Sequence, residues 1–184
     1  SACVLWGAQG GTGKSLLGEI IDMLYQPHGV IINEERLDGR FNAWQEGVSF
    51  CVGEEITGND SRLFANKLKD MVTRQHVYVE HKGIDAMRLV DCTNYLLFSN
   101  HPDAVKLDVQ DRRYFVWETP SEKLATKEGT RISRAMKSPE GMSALMHYLL
   151  EVDTSDFEPR AAPPVTHSKQ AMIRDGMSDV ELWI

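Results

Sequence analysis

The sequence is poor in cysteine, with only Cys3, Cys51 and Cys92 in 184 residues. Three scattered cysteines, no two at zinc-ligand spacing, argue against a disulfide framework and a structural zinc site. All three sit in apolar, strand-like runs and read as small core residues. Long apolar runs are also missing. No stretch approaches the roughly 20 residues that a membrane-spanning helix needs. The first residues lack the basic-then-apolar plan of a secretory leader. These absences predict a soluble, cytoplasmic protein with no membrane partner. An excess of positive charge is lacking too, since the formal net charge is -7. A protein that coats nucleic acid would be basic overall. Any contact with nucleic acid must therefore run through a small, focused patch. Internal repeats and low-complexity tracts are absent.

What is present suits one globular domain with a real core: 42% hydrophobic and 26% charged residues, both ordinary values. Ala2-Cys3-Val4-Leu5-Trp6 reads as a buried strand. Nothing precedes it, so the chain reads as a fragment of a longer polypeptide. A glycine-rich segment, Gly7 to Ser15, follows. Leu16, Leu17, Ile20, Ile21 and Leu24 then recur at helical spacing. Strand, glycine loop and helix together open a nucleotide-binding unit. Val30-Ile31-Ile32 is a candidate second strand, and Arg40 to Gln45 a short helical link. Val48 to Val52 is a buried strand ending at Glu54-Glu55. Ser61 is placed to cap a helix that buries Phe64, Leu68, Met71 and Val72. Val77, Val79, Met87 and Leu89 alternate with polar residues around His81-Lys82-Gly83, which predicts a hairpin near 76–90. Tyr95 to Phe98 and Tyr114 to Trp117 complete the central strands. After Pro120 the pattern becomes helical. Ser138-Pro139 opens a helix with Met142, Leu145, Met146, Leu149 and Leu150 inward. Ala161 to Pro164 is an extended linker, and an amphipathic stretch runs from Thr166 to Ile184.

Catalytic chemistry concentrates in four places, and a fifth carries a candidate nucleic-acid contact. Ala8 to Ser15 fits a phosphate-binding loop, with Ala8 where the first glycine is usual. Gly10, Gly11, Thr12 and Gly13 let backbone N–H groups converge on phosphate oxygens, and the following helix turns its positive end to the anion. Lys14 would bridge the outer phosphates of ATP and the Ser15 hydroxyl would ligate Mg2+. Glu54-Glu55, at the end of a buried strand, is the second place. Glu54 would hold the metal through water, and Glu55 would polarise the attacking water. Two departures weaken the metal role of Glu54: Gly53 stands where an apolar residue is expected, and Glu54 where Asp is usual. Asn100, ending the strand Tyr95 to Ser99, is the third. It is either a turn residue or a neutral amide that fixes the water and γ-phosphate. Asp111-Arg112-Arg113 is the fourth, either a surface ion pair or the source of an arginine finger, with Arg113 ahead of Arg112. His81 and Lys82 at the hairpin tip are either a solvated turn or a contact to a phosphodiester backbone, with Lys69 and Arg74 as weaker candidates. Trp6, Trp44 and Trp117 read as core residues.

The set as a whole resembles superfamily 3 helicases, and more narrowly the primase-helicases of phages, plasmids and poxviruses. The likeness rests on Leu5 to Ser15, Gly39-Arg40-Phe41-Asn42, Phe50 to Glu55, Lys67 to Asp70 with Thr73, Glu80 to Gly83, Phe98-Ser99-Asn100, Asp111-Arg112-Arg113 and the tail Phe157 to Pro164. It implies an α/β P-loop NTPase of AAA+-like type, with a central parallel sheet flanked by helices and a C-terminal helical segment. It also implies a hexameric ring, nucleotide between subunits, an arginine finger donated in trans, and hairpins gripping single-stranded DNA through His81 and Lys82. A primase domain or partner is a further implication, as is residence in the host cell of a phage or plasmid.

The expected organisation is an ATPase core over 1–119 and a helical extension over 120–184. The expected function is the ATP-hydrolysing motor of a replicative helicase. A DNA-independent ATPase and an inactive assembly module stand as alternatives.

Overall fold

The computed structural model describes residues 2–57, 62–159 and 161–177. A five-stranded sheet organises the chain, built from β1 (Ala2–Trp6), β2 (Gly29–Asn33), β3 (Phe50–Glu54), β6 (Asn94–Ser99) and β7 (Tyr114–Glu118). The spatial order is β2-β3-β6-β1-β7, and every neighbouring pair is parallel. Parallel strands covered on both faces need near-continuous apolar runs, which is what Ala2–Trp6 and Tyr95–Phe98 supply. A separate antiparallel pair, β4 (His76–Val79) and β5 (Met87–Val90), forms the hairpin.

Helices cover both faces. On one, α1 (Lys14–Tyr25) packs on β2, β3 and β6. Gly18 and Ile20 are buried there, near a small core of Val52, Leu96 and Phe98. The larger core lies on the other face. It takes Leu37 from α2 (Glu34–Asp38), Phe64, Leu68 and Met71 from α3 (Arg62–Thr73), and Met172 and Ile173 from α6 (His167–Asp175). Each fully buried large apolar side chain contributes roughly 1.5–3 kcal/mol. Two further helices, α4 (Thr126–Met136) and α5 (Pro139–Glu151), pack against each other. Ser138 caps α5 by accepting from the Gly141 N–H at 3.0 Å, and Thr166 caps α6 by accepting from the Lys169 N–H at 3.0 Å. Among the described residues no helix is long and apolar enough to cross a membrane.

The fold departs from the pattern-based expectations in several places. Helix α2, only five residues long, was not expected, and α4 lies within the expected helical extension at a place where no individual helix was assigned. The link over 40–45 is helical only at Ala43–Gln45, as a 3-10 turn. Strand β3 begins at Phe50 rather than Val48. Strand β7 is an edge strand, which leaves Trp117 half exposed. Cys51 is buried, but Cys92 is exposed in the connector before β6. The largest departure is α5, none of whose residues is buried. Its expected inward set instead leaves Met146, Leu149 and Leu150 exposed, because α5 meets α4 and not the sheet. Ser61 and residues 178–184 lie outside the described residues.

Candidate functional site

Parallel alignment brings the carboxyl ends of β1, β3 and β6 into one row, with Trp6 opposite Ser99 and Gly53 opposite Leu97. Clefts outside the carboxyl ends of such strands are where open α/β sheets bind ligands. A cavity of about 1020 Å³ opens there. It is lined by Gly10 to Ser15, Glu54, Glu55 and Asn100, and by Arg134 and Lys137 from the C-terminal segment.

The glycine loop joins β1 to α1. Gly11 and Gly13 take φ of 81° and 95°, a left-handed conformation that a side chain would strain. Helix α1 opens on Gly13 with no side-chain cap and no acidic residue in its first turn. Its first N–H groups and the positive end of its dipole therefore face the cavity uncompensated, as an anion site requires. The Thr12 hydroxyl is buried and has no partner among the described residues. Lys14 lies across the loop, its Nζ donating to Gly7 O at 3.1 Å and Gln9 O at 3.5 Å. Burial lowers its pKa from the ordinary lysine value.

Glu55 follows β3 with φ of 56°, uncommon for a residue with a side chain. The next residue fixes this bend. Ile56 is fully buried, its N–H donates to Phe98 O at 2.9 Å, and its carbonyl accepts from the Ser99 hydroxyl. Glu55 lines the cavity from this bend, and Asn100 lines it from the end of β6. Gly53, the unexpected residue of this strand, has a packing reason. A Cβ there would meet Leu97 Cδ2 at 2.8 Å and Leu37 Cδ1 at 2.9 Å, so α2 sits where a side chain would otherwise project.

The fourth side of the cavity comes from residues that sequence reasoning did not single out. The Leu124 N–H donates to Gly11 O at 3.0 Å, which ties the start of the C-terminal segment to the glycine loop. Helix α4 then brings Gly129, Thr130, Ser133 and Arg134 to the rim, and Lys137 follows. Lys137 pairs with Glu19 of α1. Arg134 is exposed and has no hydrogen-bond or ion-pair partner among the described residues. Its basic position near the end of a polar helix carried no motif that could have marked it.

Other expected site residues lie elsewhere. Arg112 and Arg113 precede β7 at the amino edge, where the Ala2 N–H donates to Arg113 O at 2.9 Å. A five-residue strand, roughly 13 Å long, separates that edge from the glycine loop of the same chain. Arg113 Nη1 donates to the buried Asp111 at 3.2 Å. The hairpin tip is also apart from the cavity, and Asn42 fastens the hairpin through Glu80 N–H and Tyr78 O. The His81 ring is engaged, its Nε2 meeting Glu46 Oε2 at 2.9 Å. The weaker candidates are occupied too, Lys69 by Asp108 and Arg74 by Asp91 and Asp70.

Comparison with known proteins places this geometry in a family. The sequence profile of DUF5906, described as a family of unknown function, matches residues 5–113. The chain belongs to the DUF5906 family. The match spans the glycine loop, the glutamate pair, the hairpin and both arginines, and stops before α4. The chain is also similar to the DNA primase-polymerase of Nitratiruptor phage NrS-1, 26% identical over 121 residues. That stretch is 64% of this chain and 17% of the relative, so the chain spans less than a fifth of that protein. Among solved structures it resembles the apo C-terminal region of NrS-1 with a TM-score of 0.80 and 25% identity, over 97% of this chain and 43% of that one. A second structure of the same region, the A form, gives a TM-score of 0.76 at 23% identity, over 99% of this chain and 46% of that one. These matches extend the shared fold through α4 to α6, beyond the family profile.

Proposed function

We propose that this chain is an ATP-hydrolysing motor of phage DNA replication, of the superfamily 3 helicase type and of P-loop NTPase fold. The observation that carries the reading is one cavity lined by an uncapped helix N-terminus, a glycine loop with Lys14, Glu55 and Asn100. Similarity to a phage DNA primase-polymerase supports the replication role.

The residues fit a nucleoside triphosphate with Mg2+. The unpartnered Thr12 hydroxyl and the uncapped α1 amides would receive phosphate oxygens. Lys14 would leave its own loop carbonyls for the β- and γ-phosphates. Ser15 and Glu54 would hold the metal, which takes most of its ligands from water and phosphate and neutralises charge on the phosphoryl group. Glu55 would orient a water and accept its proton as the oxygen attacks the γ-phosphorus. The bond from that phosphorus to the bridging oxygen breaks, releasing ADP and inorganic phosphate. Asn100 would steady the water and γ-phosphate without adding charge. Arg113 cannot reach this cavity in its own chain, so the reading assigns it to the cavity of a neighbour in a ring, with Arg112 as second choice. Lys82 at the hairpin tip would contact single-stranded DNA, and His81 would join it on release from Glu46.

A second reading, a DNA-independent ATPase, draws on His81, Lys69 and Arg74 being held in ion pairs. Phosphate release against protein concentration, with and without single-stranded DNA, separates the two. Turnover that rises with both supports a ring motor on DNA. Turnover indifferent to both supports the second reading and removes Arg113 from the mechanism.

A further inference from the structure

Lysine is almost never fully buried unless it is paired, yet Lys169 on α6 is 1% exposed. Its ammonium donates to Tyr114 O at 2.8 Å, to Asp111 O at 2.7 Å and to Asp111 Oδ1 at 3.4 Å. Three donors thus meet three acceptors, all on the corner that leads into β7. The Asp111 side chain is itself fully buried. Its Oδ1 accepts from the backbone N–H of Arg113 at 2.9 Å and of Tyr114 at 3.0 Å, and its Oδ2 from Arg113 Nη1 at 3.2 Å. Lys169, Asp111 and Arg113 therefore form a relay from the C-terminal helix to the exposed rim at the amino edge. There Arg113 and Arg112 line a cavity of about 570 Å³ with Val72, Thr73 and Pro159.

Helix α6 does not need this ammonium to dock. Met172 and Ile173 bury its apolar face, and the Thr166 hydroxyl donates to Val116 O. Replacing Lys169 and Asp111 together by apolar residues would fill the space without the desolvation penalty of a buried ion pair. The ammonium instead specifies the corner, because it ties both the backbone and the carboxylate that hold Arg113.

We propose that Lys169 is a positioning residue for Arg113, setting the guanidinium for the nucleotide of a neighbouring copy. This rests on the ring-motor reading above. Helix α6 then couples the C-terminal segment to turnover in the adjacent subunit, although it lies across the sheet from its own glycine loop.

The test uses Lys169→Met, which keeps the length and apolar stem, alongside Arg113→Ala and Lys14→Ala. Lys169→Met is expected to bind ATP like wild type, which also reports an intact fold. Its turnover should fall about 10–100-fold, and Arg113→Ala should fall further, about 10³-fold. Adding Lys169→Met to Arg113→Ala should cost nothing more, since both act through one group. Mixing Lys169→Met with Lys14→Ala should restore turnover, because the second chain lends a positioned Arg113 to the intact site of the first. Wild-type turnover in Lys169→Met overturns the proposal, and so does a loss that mixing does not repair. Wild-type turnover in Arg113→Ala fails differently, removing the finger and with it any need to position one.

Discussion

The two edges of the sheet are built on opposite principles. At the carboxyl edge polar groups are left open: α1 has no side-chain cap, the Thr12 hydroxyl has no partner among the described residues, and Arg134 pairs with nothing there. At the amino edge the charged groups are closed on one another, Lys169 on Asp111 and Asp111 on Arg113. Buried polar groups normally find partners. An edge that withholds them is prepared for a ligand that will supply them. An edge that closes its buried charges on one another holds a side chain at a set position. On the ring-motor reading proposed above, the carboxyl edge is the receptive end of the sheet and the amino edge the presenting end.

Substitutions sharpen this contrast. The largest effect belongs to the receptive edge. Glu55→Gln should lower ATP turnover about 10³–10⁴-fold while leaving nucleotide affinity nearly unchanged, as read by phosphate release beside equilibrium binding. At the closed edge, Asp111→Ala removes the carboxylate that meets Lys169 and should destabilise the fold by about 3–5 kcal/mol, read by urea denaturation.

The pH dependence of that loss has a definite sign. Burial pushes the Asp111 carboxyl up. The backbone N–H groups of Arg113 and Tyr114, with the Lys169 ammonium, outweigh it and hold the group below the usual carboxylate range. Its stabilisation is present above the unfolded value of about 4 and is lost as pH falls through the lower native value. The gap between wild type and Asp111→Ala should therefore narrow in acid and stay constant near neutrality.

Smaller effects follow. Gly53→Ala should destabilise by about 1–3 kcal/mol through overpacking against Leu37 and Leu97, seen as a lower denaturation midpoint. Arg134→Ala should weaken nucleotide binding by about tenfold, near 1.4 kcal/mol, with no change in stability. Unchanged affinity would make Arg134 a solvated rim residue.

Much of the receptive edge was legible because its elements announce themselves locally. Glycines before Lys14, a helical period from Leu16 and a carboxylate pair after an apolar run are all short-range patterns. The closed edge was half legible. The run Asp111-Arg112-Arg113 is visible, but its partner Lys169 lies 58 residues on and reads as one more surface lysine of a polar helix. Helix α4 was missed for a related reason. Its apolar residues Ile132, Ala135 and Met136 are few and none is buried, and only the fold brings Arg134 to the cavity. The α5 expectation failed in the opposite way. An apolar periodicity is present, but periodicity alone does not say whether the sheet is there to receive it. Gly53 departs from the motif because Leu37 of α2 and Leu97 occupy the space a side chain would need.

The proposed function stands on the carboxyl edge binding a nucleoside triphosphate through the loop ahead of α1. Calorimetric titration of ATP with Mg2+ into the wild-type chain and into Lys14→Ala tests it most directly. One site per chain, weakened about 100-fold or more by the substitution, is the predicted result. No binding to the wild-type chain, or equal affinity in both, would contradict it.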